Sequence, residues 1–440
     1  MINLKNKRVG IWGLGVVGKS VLNYVKQFTS QIQILDKKAH EELLVILQTP
    51  TSLKEFLDNN DIIIPSPGIS LLDYQKYAGK FVQELDIFSS ESKIPTIAIT
   101  GTLGKTTITS FTEQCIPNSV AAGNIGYAML NVLNLQPQPK TVVLELSSYQ
   151  LQHTKYFAPD IAVLTNFYPN HLDHHATMEE YLLAKCQIFK NQRNDQKSLI
   201  PYELIDQIED IIQKVPSRVY LFCTNKPETD ITYPTFYIEN NNLILLSTSG
   251  EQCIIFDQIG KLPQTTFLQN WVAILATLYL YKIDLKTVMP TINALNLPEH
   301  RVELVAHFYN VAIYNDSKST VWQATAKAVD RFPGKKIALF LGGLSKGTDR
   351  SPLIEHCKNQ EITVFAFGKE SESLNNLCEK YQVPCIQTTT LEAALDVFRK
   401  NYKKFDLLLF SPAGSSFDLF KNFEDRGTQF KAMIHKMIKA

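Results

Sequence analysis

The sequence predicts an α/β protein of three domains: an N-terminal Rossmann-like domain, a central P-loop-type mononucleotide-binding ATPase domain and a C-terminal Rossmann-like domain. Three observations predict it. The chain has 440 residues, enough for about three domains. A glycine turn, G-L-G-V-V-G at Gly13–Gly18, follows a short apolar run near the N-terminus. A second, inside I-A-I-T-G-T-L-G-K-T-T at Ile97–Thr107, follows another apolar run.

Composition excludes several functions before any motif is weighed. At 45% hydrophobic and 20% charged, the chain can bury large cores and is not disordered. A net charge of +1 offers no basic field for nucleic acid and no acidic field for basic partners. The seven cysteines are scattered without a C-x-x-C pair, which fits a reducing compartment and argues against a disulfide frame or a Cys-based zinc site. No apolar stretch approaches the ~18 residues of a membrane span. Lys5, Lys7 and Arg8 precede an apolar run as in a secretory signal, but Gly10, Gly13, Gly15 and Gly18 assign that run to a nucleotide-type turn. The expectation is a cytoplasmic monomer with no membrane or nucleic-acid partner.

In chain order, 8–12 reads as a strand, with a helix after the glycine turn to about Phe28. Strands at 32–35 and 62–64 complete a small βαβ domain, 1–92. The central domain, 93–297, carries strands at 96–99, 141–146 and 161–165, and helices at 178–189 and 267–280. Four short runs (219–223, 235–239, 242–247, 252–256) read as antiparallel strands. The last domain, 298–440, has strands at 311–314, 337–341, 364–367 and 407–410 with helices between them.

The 101–107 turn carries the strongest chemical signal. Gly101 and Gly104 let backbone N–H groups turn toward a phosphate, Lys105 supplies a point charge, and the Thr106 hydroxyl suits Mg²⁺ at a helix start. Only Thr102 and Leu103 separate Gly101 from Gly104, two fewer residues than the standard P-loop spacing. The G-x-G-x-x-G at Gly13–Gly18 is weaker, because many α/β domains use it only for a tight turn; Asp36 is placed to hold a ribose hydroxyl. Glu145 ends a strand rich in β-branched residues, where open α/β sheets bind ligands, and pairs with Thr106 as a candidate Mg²⁺ set. In N-F-Y-P-N-H-L-D-H-H, the H-x-D-H string has Pro169 where dinuclear hydrolases need a further histidine. His171 remains a metal candidate, and His174 and His175 read as surface turn residues. Lys185 falls on the apolar face of its helix with positions 178, 181, 182, 188 and 189. Turned inward, its amine loses its proton and can add CO₂; snorkelling to water is the equal alternative. Glu299-His300-Arg301 and Asn315-Asp316-Ser317-Lys318 lie at an apparent domain junction, suited to clamping a nucleotide.

Together these pieces resemble the Mur ligase family over nearly the whole chain. General family signs are G-T-L-G-K-T-T (101–107), G-N-I-G (123–126), E-L-S-S-Y-Q-L (145–151), the histidine turn with Lys185, H-R (300–301) and N-D-S-K-S-T (315–320). Signs of the branch that adds D-glutamate are G-G-L-S-K-G-T-D (342–349) and S-P-A-G-S-S-F-D-L-F-K-N-F-E-D-R-G-T-Q-F (411–430). The Asp-Asn-Pro-Arg type motif of the diamino-acid-adding branch is absent.

The resemblance implies a ligase that uses ATP, two Mg²⁺ ions and a carbamate on Lys185 to join D-glutamate to UDP-N-acetylmuramoyl-L-alanine. It places ATP on Gly101, Thr102, Leu103, Gly104, Lys105, Thr106 and Thr107, with Asn270, Arg301, Asp316 and Lys318. It places the UDP moiety near Val16, Val17, Asp36, Lys37, Ser66 and Gly68, and the muramoyl path along Asn124, Ser147 and Gln150. Thr106 and Glu145 would hold one metal, His171 and carbamylated Lys185 the other. D-Glutamate would meet Thr320, Lys346, Ser416 and Phe423. Two positions depart from the family pattern: Ala273, where a second Asn is common, and Asn170, where an Asp often precedes the turn histidine. Rival readings explain less. A folylpolyglutamate synthase or another family member leaves 342–349 and 411–430 unexplained, and a nicotinamide dehydrogenase leaves 101–107 without a purpose. A non-catalytic switch does not need intact Lys105, Glu145, His171 and Lys185.

Overall fold

The computed structural model describes residues 2–40, 43–170, 174–228, 231–263, 266–296, 299–345 and 347–439. They form two compact units, Met1–Tyr168 with Thr177–Asn296, and Pro169–Ala176 with Leu297–Ala440. The architecture is α/β, with mostly parallel sheets.

The first unit holds two sheets. The smaller is wholly parallel, in the order Ile46–Leu47, Ile32–Asp36, Val9–Trp12, Ile62–Pro65. Its central strand is buried throughout, as a sheet covered on both faces requires. Register sets Trp12 beside both Leu35 and Pro65, so the loops after these strands emerge at one edge.

The larger sheet has nine strands, ordered Gln252–Phe256, Asn242–Leu246, Thr235–Glu239, Arg218–Phe222, Lys197–Pro201, Ile161–Leu164, Thr96–Thr100, Thr141–Glu145, Ser119–Gly123. From Thr96–Thr100 the chain goes to the sheet edge at Ser119–Gly123, returns inward to Thr141–Glu145, then crosses to Ile161–Leu164 on the other side. Strand order therefore reverses at the end of Thr96–Thr100, the point where open sheets bind ligands. The antiparallel expectation needs one correction. Arg218–Phe222 pairs in parallel with Lys197–Pro201 and Thr235–Glu239, and antiparallel pairing begins only at Asn242–Leu246. Helix Ile205–Ile212 supplies the crossover that permits this.

Helix Lys105–Cys115 follows the phosphate-type turn and packs on helix Leu268–Leu280 through Phe111 and Trp271, whose rings lie 5.4 Å apart. The two sheets of this unit are joined by buried polar contacts. The Asp86 carboxylate, 1% exposed, accepts from Thr154 Oγ1 (2.7 Å), Lys155 N (2.9 Å) and Tyr156 N (2.9 Å). Lys155 Nζ donates back to the carbonyls of Ala78 and Phe81, each at 3.1 Å.

The second unit holds a six-stranded sheet ordered Glu303–Phe308, Val311–Asn315, Leu407–Phe410, Ile337–Leu341, Ile362–Ala366, Cys385–Gln387. Only its first pair is antiparallel. Helix Phe423–Lys439 covers one face, with Phe430 stacked on Phe410 at 4.2 Å.

Glu84 gives the first unit a testable pH dependence. Its carboxyl is 4% exposed; Oε1 accepts from Leu130 N at 3.4 Å, while Oε2 is buried without a partner. Burial raises its pKa from 4.5 to about 7, outweighing its hydrogen bonds. A raised carboxyl favours folding while protonated. That contribution is complete below the unfolded pKa and is lost as pH rises through the folded one. Unfolding midpoints in denaturant should therefore fall between about pH 5 and about pH 8, and Glu84→Gln should flatten the slope. An unchanged slope in the variant would assign the dependence elsewhere.

Candidate active site

The 101–104 turn is held open by the end of the neighbouring strand. Gly101 has φ +146°, and a Cβ there would stand 1.9 Å from Thr165 Oγ1. Gly104 has φ +80°, and its Cβ would meet Asn270 Oδ1 at 2.6 Å. Both positions need glycine. Leu103 N donates to Asn166 Oδ1 at 2.8 Å, while Thr165 Oγ1 and Asn166 Nδ2 donate to Leu103 O at 2.7 and 3.0 Å. Thr102 Oγ1 meets Tyr168 O and the Tyr181 hydroxyl. Thr165, Asn166 and Tyr181 thus shape the loop, though no glycine or charge marks them in the sequence. Thr106 and Thr107 lie buried in the first turn of helix Lys105–Cys115.

Two lysines converge on one carbonyl oxygen. Lys105 Nζ donates to Gly101 O at 2.9 Å and Thr102 O at 3.0 Å, and Lys185 Nζ donates to the same Gly101 O at 2.8 Å. Lys185 is 1% exposed and its amine lies 4.4 Å from the Tyr181 ring centre, so it does not snorkel. Burial first, and the charge of Lys105 second, drive its pKa well below the usual lysine value. Both effects favour the neutral, nucleophilic form of the amine.

Glu145 ends strand Thr141–Glu145, 1% exposed. Its Oε1 accepts from Asn124 Nδ2 at 2.9 Å, and Oε2 is buried without a hydrogen-bond partner. The G-N-I-G turn folds over this strand end: Asn124 N donates to Glu145 O at 2.9 Å, and a Cβ on Gly123 would stand 2.4 Å from that oxygen. A fixed carboxylate with one spare buried oxygen, on the strand beside the Thr106 loop, fits a hard divalent cation. Among the described residues no three His, Cys, Asp or Glu side chains form a metal cluster. The expected set mixes a hydroxyl, a carboxylate and a modified amine instead, and His171 lies outside the described residues. Ser147 and Gln150 cap helix Ser148–Leu151 reciprocally, with Gln150 Oε1 accepting from Ser147 N and Oγ, both at 2.9 Å.

At the smaller sheet, Val16, Val17, Asp36, Lys37, Ser66 and Gly68 gather where the strands end. Val16 is 79% exposed. Asp36 organises the glycine loop: its carboxylate accepts from Leu14 N (2.6 Å) and Lys38 N (2.9 Å), and His40 adds favourable charge. These contacts together hold its pKa below the usual range, against burial as the largest opposing effect. Ser66 Oγ donates to Gly13 O at 3.1 Å.

In the second unit, Asp316 is 1% exposed and accepts from Ser319 Oγ (2.5 Å), Ser411 Oγ (2.6 Å) and Val302 N (3.2 Å). Burial raises its pKa despite these bonds and the nearby Arg301. Arg301 Nε is buried without a partner. Lys318 Nζ stands 5.1 Å from the Phe423 ring centre. Thr320 and Ser416 lie in the loops that follow the adjacent strands Val311–Asn315 and Leu407–Phe410, and Lys346 lies outside the described residues. Its neighbour Ser345 donates through N and Oγ to Glu370, which also pairs with buried Arg350. Of the histidine turn, the described residues 169–170 and 174–176 cluster with this unit. His175 is 0% exposed there, so the expectation of a surface position is wrong for it.

Residues 99–277 match the Mur ligase middle domain, and residues 1–66 match the NAD-binding domain of D-isomer specific 2-hydroxyacid dehydrogenases. The chain is 30% identical to UDP-N-acetylmuramoylalanine–D-glutamate ligase of Thermoanaerobacter sp. strain X514, over 99% of this chain and 100% of that protein. It is 32% identical to the ligase of the same name from Bacillus mycoides strain KBAB4, over 99% and 98%. Among solved structures it is similar to MurF ligase of Thermotoga maritima in complex with ADP, with TM-score 0.56, 17% identity and coverage of 100% and 97%. It is also similar to UDP-N-acetylmuramate–alanine ligase MurC of that organism, with TM-score 0.56, 15% identity and coverage of 98% and 100%. On identity sustained along its whole length, the chain belongs to the Mur ligase family, in the branch of the UDP-N-acetylmuramoylalanine–D-glutamate ligases.

Proposed function

We propose that the chain joins D-glutamate to UDP-N-acetylmuramoyl-L-alanine using ATP, giving UDP-N-acetylmuramoyl-L-alanyl-D-glutamate, ADP and phosphate. The observation that carries the reading is the meeting of Lys105 and Lys185 at Gly101 O, where strand order reverses. The choice of amino acid rests on the 342–349 and 411–430 segments and on the relatives' activity. The domains are 1–92 for the UDP moiety, 93–297 for ATP and 298–440 for D-glutamate.

A carboxylate is a poor electrophile, so the reaction first activates it. An oxygen of the L-alanyl carboxylate bonds to the γ-phosphorus of ATP while the bond to the β-phosphate oxygen breaks, leaving an acyl phosphate and ADP. The D-glutamate amine then bonds to the acyl carbon, loses a proton, and the C–O bond to phosphate breaks. Lys105, here folded onto two loop carbonyls, exchanges them for phosphate oxygens when the nucleotide enters. The 101–107 backbone presents N–H groups to the same phosphates. Asn270 lines the adenine side, and Arg301, Asp316 and Lys318 belong to the nucleotide clamp of the third domain. Thr106 and Glu145 would hold one Mg²⁺, and His171 with Lys185 the other, each ion offsetting the charge of an anion attacking an anion. For the second role the neutral Lys185 amine adds CO₂ through a new N–C bond and releases one proton, becoming a bidentate anion.

Phosphate release from ATP tests the reading, with UDP-N-acetylmuramoyl-L-alanine present and D-glutamate, L-glutamate, meso-diaminopimelate or no amino acid added. Release should depend on D-glutamate, and equal release with all four would overturn it. Lys185→Ala should lower turnover by about 100-fold or more. High bicarbonate should not restore it, whereas a short carboxylic acid should do so in part. Normal turnover without additives would remove the carbamate role. Lys346→Ala should raise KM for D-glutamate by about tenfold, the loss of one charged hydrogen bond, and raise that for ATP less. Equal increases would count against Lys346 as the carboxylate anchor.

A further inference from the structure

The second unit buries a guanidinium to which the proposed reaction gives no role. Arg426, in the first turn of helix Phe423–Lys439, is 0% exposed. Its Nε donates to Ser317 Oγ at 3.0 Å, Nη2 to Ser317 O at 2.7 Å and Nη1 to Gly414 O at 2.9 Å. None of these acceptors is a carboxylate. Asp418 and Asp316 add favourable charge, and burial lowers the pKa to about 9, so the group remains cationic at neutral pH. A cation removed from water for neutral acceptors is a poor way to stabilise a core, and an apolar side chain would pack there at less cost. What the guanidinium adds is direction: three N–H groups in a rigid fork, aimed at two different loops.

Those loops follow adjacent strands. One, 316–321, carries Thr320; the other, 411–422, carries Ser416. They touch again where Ala413 N donates to Ser319 O at 3.0 Å and where Ser411 and Ser319 share the Asp316 carboxylate. A third loop joins them through the reciprocal 2.8 Å bonds between Leu344 and Ser415. Space around the guanidinium is tight: a Cβ on Gly343 would lie 2.2 Å from Ser415 O and 3.0 Å from Arg426 Nη1. The helix docks on the same loop through Ser317 Oγ, which donates to Phe423 O at 2.8 Å.

We propose that Arg426 is a positioning residue for the amino-acid subsite: by bonding both loops at once it fixes the separation of Thr320 from Ser416 before D-glutamate arrives. The proposal rests on the ligase reading above. Lysine cannot replace it, since one ammonium cannot aim at both loops with the same geometry.

The test uses the full chain with Arg426→Lys, Arg426→Met and the smaller change Ser317→Ala, and two assays. Hydroxylamine trapping of the acyl phosphate reads the first half of the reaction without D-glutamate. Amide formation against D-glutamate concentration reads the second. In both Arg426 variants KM for D-glutamate should rise about tenfold or more, the scale of a misplaced binding group, with a smaller rise in Ser317→Ala. Trapped hydroxamate and KM for ATP should change less than about threefold, because the first half-reaction needs no amino acid. KM values for ATP and D-glutamate rising together, or a lower melting temperature with KM for D-glutamate unchanged, would overturn the proposal. If the unaltered chain forms neither hydroxamate nor D-glutamate-dependent phosphate, the ligase reading itself fails.

Discussion

Two lysine side chains sharing one carbonyl oxygen is the constraint on which the first unit turns. Two ammonium groups side by side repel, and burial disfavours the charged form of Lys185, the deeper of the two. The surrounding residues make that possible. Tyr181 walls the amine off, Thr165 and Asn166 fix the loop that carries the shared oxygen, and Gly101 and Gly104 take backbone angles that a side chain would forbid. Chemistry and loop shape are therefore one problem here, since disturbing the loop moves the carbonyl that both lysines use.

The second unit solves a related problem with different groups. Its loops also leave the carboxyl ends of parallel strands, and buried charges again hold them. Asp316 gathers two serine hydroxyls and a backbone N–H, Arg426 gathers two carbonyls and a hydroxyl, and Arg350 bonds to the carbonyls of Gly342 and Gly343 while pairing with Glu370. Desolvation raises the pKa of Asp316 and lowers that of both arginines. Charged side chains here act as brackets for backbone, and that role leaves a different trace in sequence than catalysis does.

That difference explains what the sequence reveals. Strands with β-branched or aliphatic runs, such as Ile337–Leu341 and Leu407–Phe410, are legible to the residue, because burial on both faces demands such runs. Ser119–Gly123, reading S-V-A-A-G, is not, since its place is set by pairing with Thr141–Glu145 and not by its own propensity. Arg218–Phe222 was open to misreading as part of a hairpin because its true partner, Lys197–Pro201, lies across a helix. The phosphate-type turn was legible from glycine spacing. The direction of Lys185 was not: helical periodicity placed it on the apolar face, but only the packing of Tyr181 and Gly101 decides between burial and snorkelling. Thr165, Asn166 and Arg426 carry no motif of their own, and their roles arise from which loops the topology makes adjacent.

The joint at Asp86 has a consequence of another kind. Three donors on one carboxylate, with Lys155 reaching back across the seam, tie the two sheets of the first unit together. The glycine loop at Val16 and the loop at Gly101 then stand a set distance apart. A molecule that touched both would have to span that distance, so its length would be tested by the framework as well as by any single side chain.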